Sequence, residues 1–129
     1  MQIHQSAEDY LETILMLSQR MGKVRSIVVV NELGVTKASV SIAMKKLREN
    51  GYIAVDGEGN LTLLEPGLEI AQRIYSRHQL LTHFFVQLGV DEQTAAEDAC
   101  KAEHFLSEQT LEKIRESALR NDAAHPQAK

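Results

Sequence analysis

The sequence predicts a mainly α-helical protein: an N-terminal winged helix-turn-helix followed by an all-helical dimerisation domain. Three observations carry this. Apolar residues recur at helical spacing through most of the 129 residues. Two short β-prone runs flank one dense turn, Gly57-Glu-Gly-Asn60. Basic residues crowd onto the two short helical patterns just before that turn.

Each element has its own local signal. Ser6-Ala-Glu-Asp9 has the hydroxyl-then-acid spacing of a capping box. Leu11, Ile14, Leu15 and the Leu17-to-Met21 stretch then repeat helically up to Gly22. Ser26 is placed to cap a second, short helix ending at Leu33-Gly34. Its β-branched run, Ile27 to Val30, loses rotamer freedom in a helix and can also be read as a strand. Ser26 before it and Asn31-Glu-Leu-Gly34 after it favour the helix. Thr36 caps a third helix with Val40, Ala43, Met44 and Leu47 as its inward stripe, and Asn50-Gly51 stops it. Tyr52 to Asp56 and Leu61 to Leu64 then form a hairpin, which completes a winged unit over residues 1–65.

Pro66-Gly67 opens the second half. A long amphipathic helix is expected from about Leu68 to Leu88, with Ile70, Ala71, Ile74, Tyr75, Leu81, Phe84 and Phe85 among its apolar residues. Gly89 ends it, and Asp91 caps a helix running through an alanine-rich stretch to Phe105. Ser107 caps a last helix through Leu111, Ile114 and Leu119. Residues 66–120 thus read as a helical metal-binding and dimerisation domain. Residues 121–129 read as a loose tail whose His125 is not expected to bind metal. So few helices make a thin core, so Phe84, Phe85, Leu88, Ala95, Ala96 and Ala99 are expected to pack on a second copy.

Charge is unevenly spread. The chain has a net charge of -4, which argues against a uniformly basic coat. Yet Arg20, Lys23, Arg25, Lys37, Lys45, Lys46 and Arg48 face only Glu32 between positions 20 and 48. A basic run is often just a solvated helix face, but this one coincides with the helix-turn-helix, which favours phosphates as its partner. Thr36, Lys37, Ser39, Ser41 and Ile42 fall near or on the outer face of the helix that enters a major groove. Arg25, Lys45 and Lys46 are further candidate DNA contacts. The hairpin carries Asp56 and Glu58 and is expected to add little to binding.

Cys100-Lys-Ala-Glu103-His104 offers a thiolate, a carboxylate and an imidazole at spacings of three and four, one helical face. Asp9 and Glu12 are again three apart, and His78 lies in the long middle helix. Together these residues can form one or two sites for a first-row divalent metal. A single cysteine makes no internal disulfide, and a thiolate ligand needs a reducing compartment, so a cytoplasmic address is expected. No apolar run is long enough to cross a membrane, and no basic-then-apolar leader is seen.

With these parts in place, the chain resembles the diphtheria toxin repressor family of metal-activated transcriptional regulators. The likeness runs from Ser6 to about Ile114. It is carried by Glu8-Asp-Tyr-Leu-Glu12, the stretch Ser26 to Leu47, Glu49-Asn-Gly-Tyr-Ile53, Arg77-His-Gln-Leu-Leu81, Gly89-Val-Asp-Glu92 and Asp98 to His104. The length is similar to the two-domain, manganese-type branch. The resemblance implies Asp9, Glu12, His78, Glu103 and His104 as metal ligands. Cys100 stands where the manganese type has glutamate and the iron type cysteine, whereas the iron type has methionine at the place of Asp9. Thr82 and Ala96 replace an acid and a histidine of the iron type's ancillary site. The resemblance therefore implies a hybrid site. A thiolate leans toward Fe(II), with Mn(II) close behind.

Residues and resemblance together predict a metal-activated repressor of iron or manganese homeostasis, binding operator DNA as a homodimer, with neither a small-molecule substrate nor a membrane partner. Two readings from other classes compete. One is a winged-helix regulator that senses oxidants through Cys100; the other is a small metalloenzyme, for which no substrate-binding loop is evident.

Overall fold

The computed structural model describes residues 5–124, with side chains from Ser6 onward. Two compact units divide between Arg73 and Ile74. Among the described residues no helix is long and apolar enough to cross a membrane.

The first unit comprises α1 (Gln5–Met21), β1 (Val24–Arg25), α2 (Ser26–Leu33), α3 (Lys37–Glu49), β2 (Ile53–Val55), β3 (Asn60–Leu63) and the start of α4 (Glu65–Gln87). The strands form one antiparallel sheet in the order β1-β3-β2. Ile53 pairs with Leu63, and Val24 pairs with Leu61. Leu11, Ile14, Val24, Val29, Val40, Leu47 and Ile53 are buried essentially completely and form this unit's core. Burial of that apolar surface outweighs the poor helix propensity of the β-branched run in α2.

Local chemistry explains most boundaries. The Thr36 hydroxyl accepts from the Ser39 N–H at 3.1 Å, so α3 starts where its cap residue requires. Gly34 adopts φ 66° at the end of α2, a left-handed conformation that suits a residue without a Cβ. Two expected caps are corrected. Helix α1 already includes Gln5, so Ser6 lies inside it. Helix α2 is entered from Arg25 in extended conformation without a side-chain cap, because Arg25 is still paired in the sheet and Ser26 is already helical.

Helix α4 starts at Glu65, earlier than the apolar spacing suggests. Pro66 is tolerated in a first helical turn, where its missing N–H has no intrahelical partner to lose. Gly67 is packed so closely that a Cβ would lie 2.2 Å from the Tyr52 carbonyl oxygen. Arg73 reaches Glu8 of α1 at 3.4 Å. These contacts hold the first turns of α4 to the winged unit, and the compact division falls inside the helix.

The second unit contains the rest of α4, α5 (Glu92–Ala102) and α6 (Glu108–Ala124). Leu81, Ala99 and Leu111, one from each helix, form its buried centre, with Leu80, Phe85, Ala102, Leu106 and Ile114 packed around them. Asp91 caps α5 by accepting from the Thr94 N–H at 3.0 Å, and Ser107 caps α6 by accepting from the Thr110 N–H at 3.1 Å. Helix α6 continues through residues 121–124, which corrects the expected tail. Asp122 accepts from Gln87 at 2.9 Å and lies 2.9 Å from His83 Nε2, while Asn121 donates to Gln87 Oε1 at 3.1 Å. His125 lies outside the described residues.

Candidate metal centre and nucleic-acid interface

The second unit gathers four of the expected ligands. Helix α5 ends at Ala102, so only Cys100 of the triplet sits on regular helix. Glu103 is the C-cap, still in right-handed helical conformation with its N–H on Ala99 O at 2.9 Å. His104 lies in the turn that follows. The single helical face expected for the three residues is thus corrected to a helix end and its turn.

Glu103 is the centre of this group. Its carboxylate is fully buried. Oε2 lies 3.0 Å from His78 Nδ1, and Oε1 lies 3.5 Å from Nε2 of the nearly buried His104. Oε1 finds no hydrogen-bond donor among the described residues. A ligand atom of Cys100 lies within 4.8 Å of a Glu103 carboxylate oxygen. Cys100 is exposed. A buried carboxylate is costly unless paired or bound to a cation, and one whose oxygen lacks a donor amid two imidazoles and a thiol fits a first-row divalent metal.

In the first unit, α1 places Asp9, half-buried, and Glu12, only 5% exposed, one turn apart. The Thr82 hydroxyl in α4 is buried with no hydrogen-bond partner among the described residues.

The outer face of α3 is equally well defined. Lys37, Ser39, Ser41, Ile42, Lys45 and Lys46 of α3 are all exposed, Ile42 by 59%, while Val40, Met44 and Leu47 face the core. The Thr36 hydroxyl also donates to Ser39 Oγ at 2.8 Å, so both hydroxyls are engaged at the helix start. Lys37, Lys45 and Arg48, with Ser26 and Ser41, line a groove of about 590 Å³ floored by Ile27, Val30, Met44 and Val55. Arg48, from the basic stretch, and Ser26, expected as a cap, thus share one groove with Lys37 and Ser41. Arg25 is exposed but donates to the Glu58 carbonyl, so it braces the wing. Asp56 accepts from the N–H groups of Glu58 at 2.8 Å and Asn60 at 2.9 Å, and from Asn60 Nδ2 at 3.0 Å. Those donors, Asn60's backbone N–H foremost, hold its carboxyl below the ordinary aspartate value. Asp56 thus builds the wing's turn.

The residues expected at a dimer surface differ in exposure. Ala95 and Ala99 are completely buried, Ala99 beside Leu81 and Leu111, because small side chains let the helices approach. Phe85 packs on the same core. Phe84 stays half-exposed and Leu88 is exposed.

Two family models cover nearly the whole chain. Residues 2–61 match the iron dependent repressor N-terminal DNA binding domain, and residues 64–126 match the iron dependent repressor metal binding and dimerisation domain. The chain belongs to the diphtheria toxin repressor family of metal-dependent transcriptional regulators. An uncharacterised helix-turn-helix-type transcriptional regulator of Methanocaldococcus jannaschii is 37% identical over 113 residues, 86% of this chain and 90% of that protein. The helix-turn-helix-type regulator MntR of Bacillus subtilis is 34% identical over 109 residues, 84% of this chain and 77% of MntR. A solved structure described as a manganese-dependent transcriptional repressor in complex with manganese superposes with a TM-score of 0.80 at 28% identity. The match covers 87% of this chain and 52% of that one, so the chain spans about half the length of this solved relative. The relatives within this family are regulators, not enzymes.

Proposed function

We propose that the chain is a metal-activated transcriptional repressor of iron or manganese homeostasis, with Fe(II) as co-repressor and Mn(II) as the close alternative. The observation that carries this reading is the fully buried Glu103 carboxylate, with one oxygen 3.0 Å from His78 and the other lacking a donor among the described residues. Asp9, Glu12, His78, Cys100, Glu103 and His104 hold the metal in this proposal. A bound divalent cation supplies two positive charges to a ligand set containing three carboxylates and a thiol. A manganese-dependent solved relative supports a first-row metal, while the exposed thiol of Cys100 favours a softer ion than Mn(II) alone would need.

Asp9 and Glu12 lie in the winged unit and the other four residues in the helical unit, so one ligand set makes DNA affinity depend on metal. Thr36 and Ser39 fix the start of α3. Lys37, Lys45 and Lys46 meet phosphates, and Ser39, Ser41 and Ile42 face bases. As a homodimer contacting through the region of Phe84 and Leu88, two copies of α3 read half-sites about 34 Å apart or a multiple of it. Metal then acts by favouring the state with this spacing.

The full chain, incubated anaerobically with random duplex and Fe(II), Mn(II), Co(II) or Zn(II), is expected to select one operator sequence only when metal is present. With Co(II) it is also expected to show a thiolate-to-metal charge-transfer band that Cys100→Ser lacks. Equal operator selection without metal rejects the co-repressor. Absence of the band in both proteins removes Cys100 from the ligand set and, with it, the preference for iron.

A further inference from the structure

We propose that Arg77 is a positioning residue for the metal ligands, an inference that rests on the metal-site proposal for Glu103 and its neighbours. Glu103 caps α5 with its N–H still on Ala99 O, but its carbonyl and His104 lie past the helix end, where the last carbonyls lack intrahelical donors. Something else has to fix them. Two consecutive residues of α4 grip Glu103 at opposite ends: Arg77 Nη1 donates to its backbone carbonyl at 3.0 Å, while His78 Nδ1 lies 3.0 Å from its carboxylate. That carbonyl is at the negative end of the α5 dipole, where a cation is favoured.

The guanidinium is itself held. Its Nη2 pairs with the Glu108 carboxylate in the first turn of α6, and its side chain is only 15% exposed. One planar, multiply donating group therefore ties α4, the ligand-bearing turn and α6 together, which an ammonium reproduces poorly. Glu108 has a second effect. By balancing the guanidinium charge, it keeps a positive group near His78 from repelling an incoming divalent cation.

Partners that orient metal ligands in this way commonly change metal affinity by about 10–100-fold when altered. Arg77→Gln in the full chain is expected to weaken Co(II) and Mn(II) binding within that range and to broaden the Co(II) ligand-field bands. Arg77→Lys is expected to recover part of the loss. Glu108→Gln is expected to weaken binding by a smaller factor that shrinks at high salt, as an unscreened charge effect would. Metal-free helicity and thermal midpoint are measured beside each titration. If Arg77→Gln does not fold, Glu108→Gln and Arg77→Lys carry the test.

Metal affinities within twofold of the unaltered chain in these variants overturn the inference. So does a loss that tracks the metal-free thermal midpoint, because a purely structural clamp predicts that pattern. Glu103→Gln separates the two readings. If it leaves metal affinity intact, the metal site and this inference fall together. If it abolishes binding while the Arg77 and Glu108 variants bind normally, only the positioning role is lost.

Discussion

At Gly67 the backbone leaves no room for a side chain. A Cβ there would lie 2.2 Å from the Tyr52 carbonyl oxygen and 3.3 Å from Leu11 Cδ2, so either α4 or the strand entry must shift. Gly67→Ala is expected to destabilise the chain by roughly 1–3 kcal/mol, measured as a lower denaturant midpoint at unchanged slope. Asp56 tests a different kind of contact. Backbone and side-chain donors of Asn60 hold its carboxyl below the ordinary value. A depressed folded-state pKa stabilises fully above the unfolded value, about 3.9, and the benefit disappears as pH falls through the folded value. The wild-type thermal midpoint is therefore expected to drop more steeply below pH about 4 than that of Asp56→Asn. Identical pH profiles would show that the wing turn holds without the ionised carboxylate.

At the level of elements, α3 is the best test of the proposed DNA surface. Lys37, Lys45 and Lys46 are exposed and have no ion-pair partner among the described residues. Lys37→Ala, or Lys45→Ala with Lys46→Ala, is expected to weaken operator binding and to flatten its log-log salt dependence by about one unit per lost phosphate contact. Ile42→Ala should instead change preference among operators, because an apolar side chain reads a thymine methyl and not a phosphate. Unchanged salt slopes in the lysine variants would move the interface off α3. The same element shows what the sequence makes legible. Thr36, the inward stripe and Asn50-Gly51 are local signals, and α3 follows them except at Ala43, which is only partly buried. Strand β1 is invisible in the sequence because two residues carry no periodicity, and their pairing partners lie at Asn60 and Leu61. The last turn of α6 escapes local reading because its anchors, His83 and Gln87, are remote in sequence. At the proposed site, the spacing of Cys100, Glu103 and His104 is a local signal for metal binding. The end of α5 at Ala102 and the grip of Arg77 on Glu103 depend on tertiary packing that no local pattern encodes.

For the whole molecule, the proposed ligand set separates holding a metal from responding to it. Asp9→Ala with Glu12→Ala is expected to keep part of the metal affinity measured by calorimetry but to lose most metal-stimulated operator binding. Glu103→Ala and His104→Ala should lose both. A first-helix double variant that answers metal like the unaltered chain would confine the metal's action to the helical unit. The β1–β3 pairing has a consequence of another sort. Val24 meets Leu61 only across the whole of α2, α3 and β2, so the sheet is closed by a contact between distant parts of the chain. Such closures carry a chain-entropy cost and form after local structure. Helix α3 thus sits inside a loop whose two ends are stapled by a two-residue strand. Loss of the Val24–Leu61 pairing is therefore expected to loosen the wing and the packing of α3 beside it, read as faster amide exchange in both.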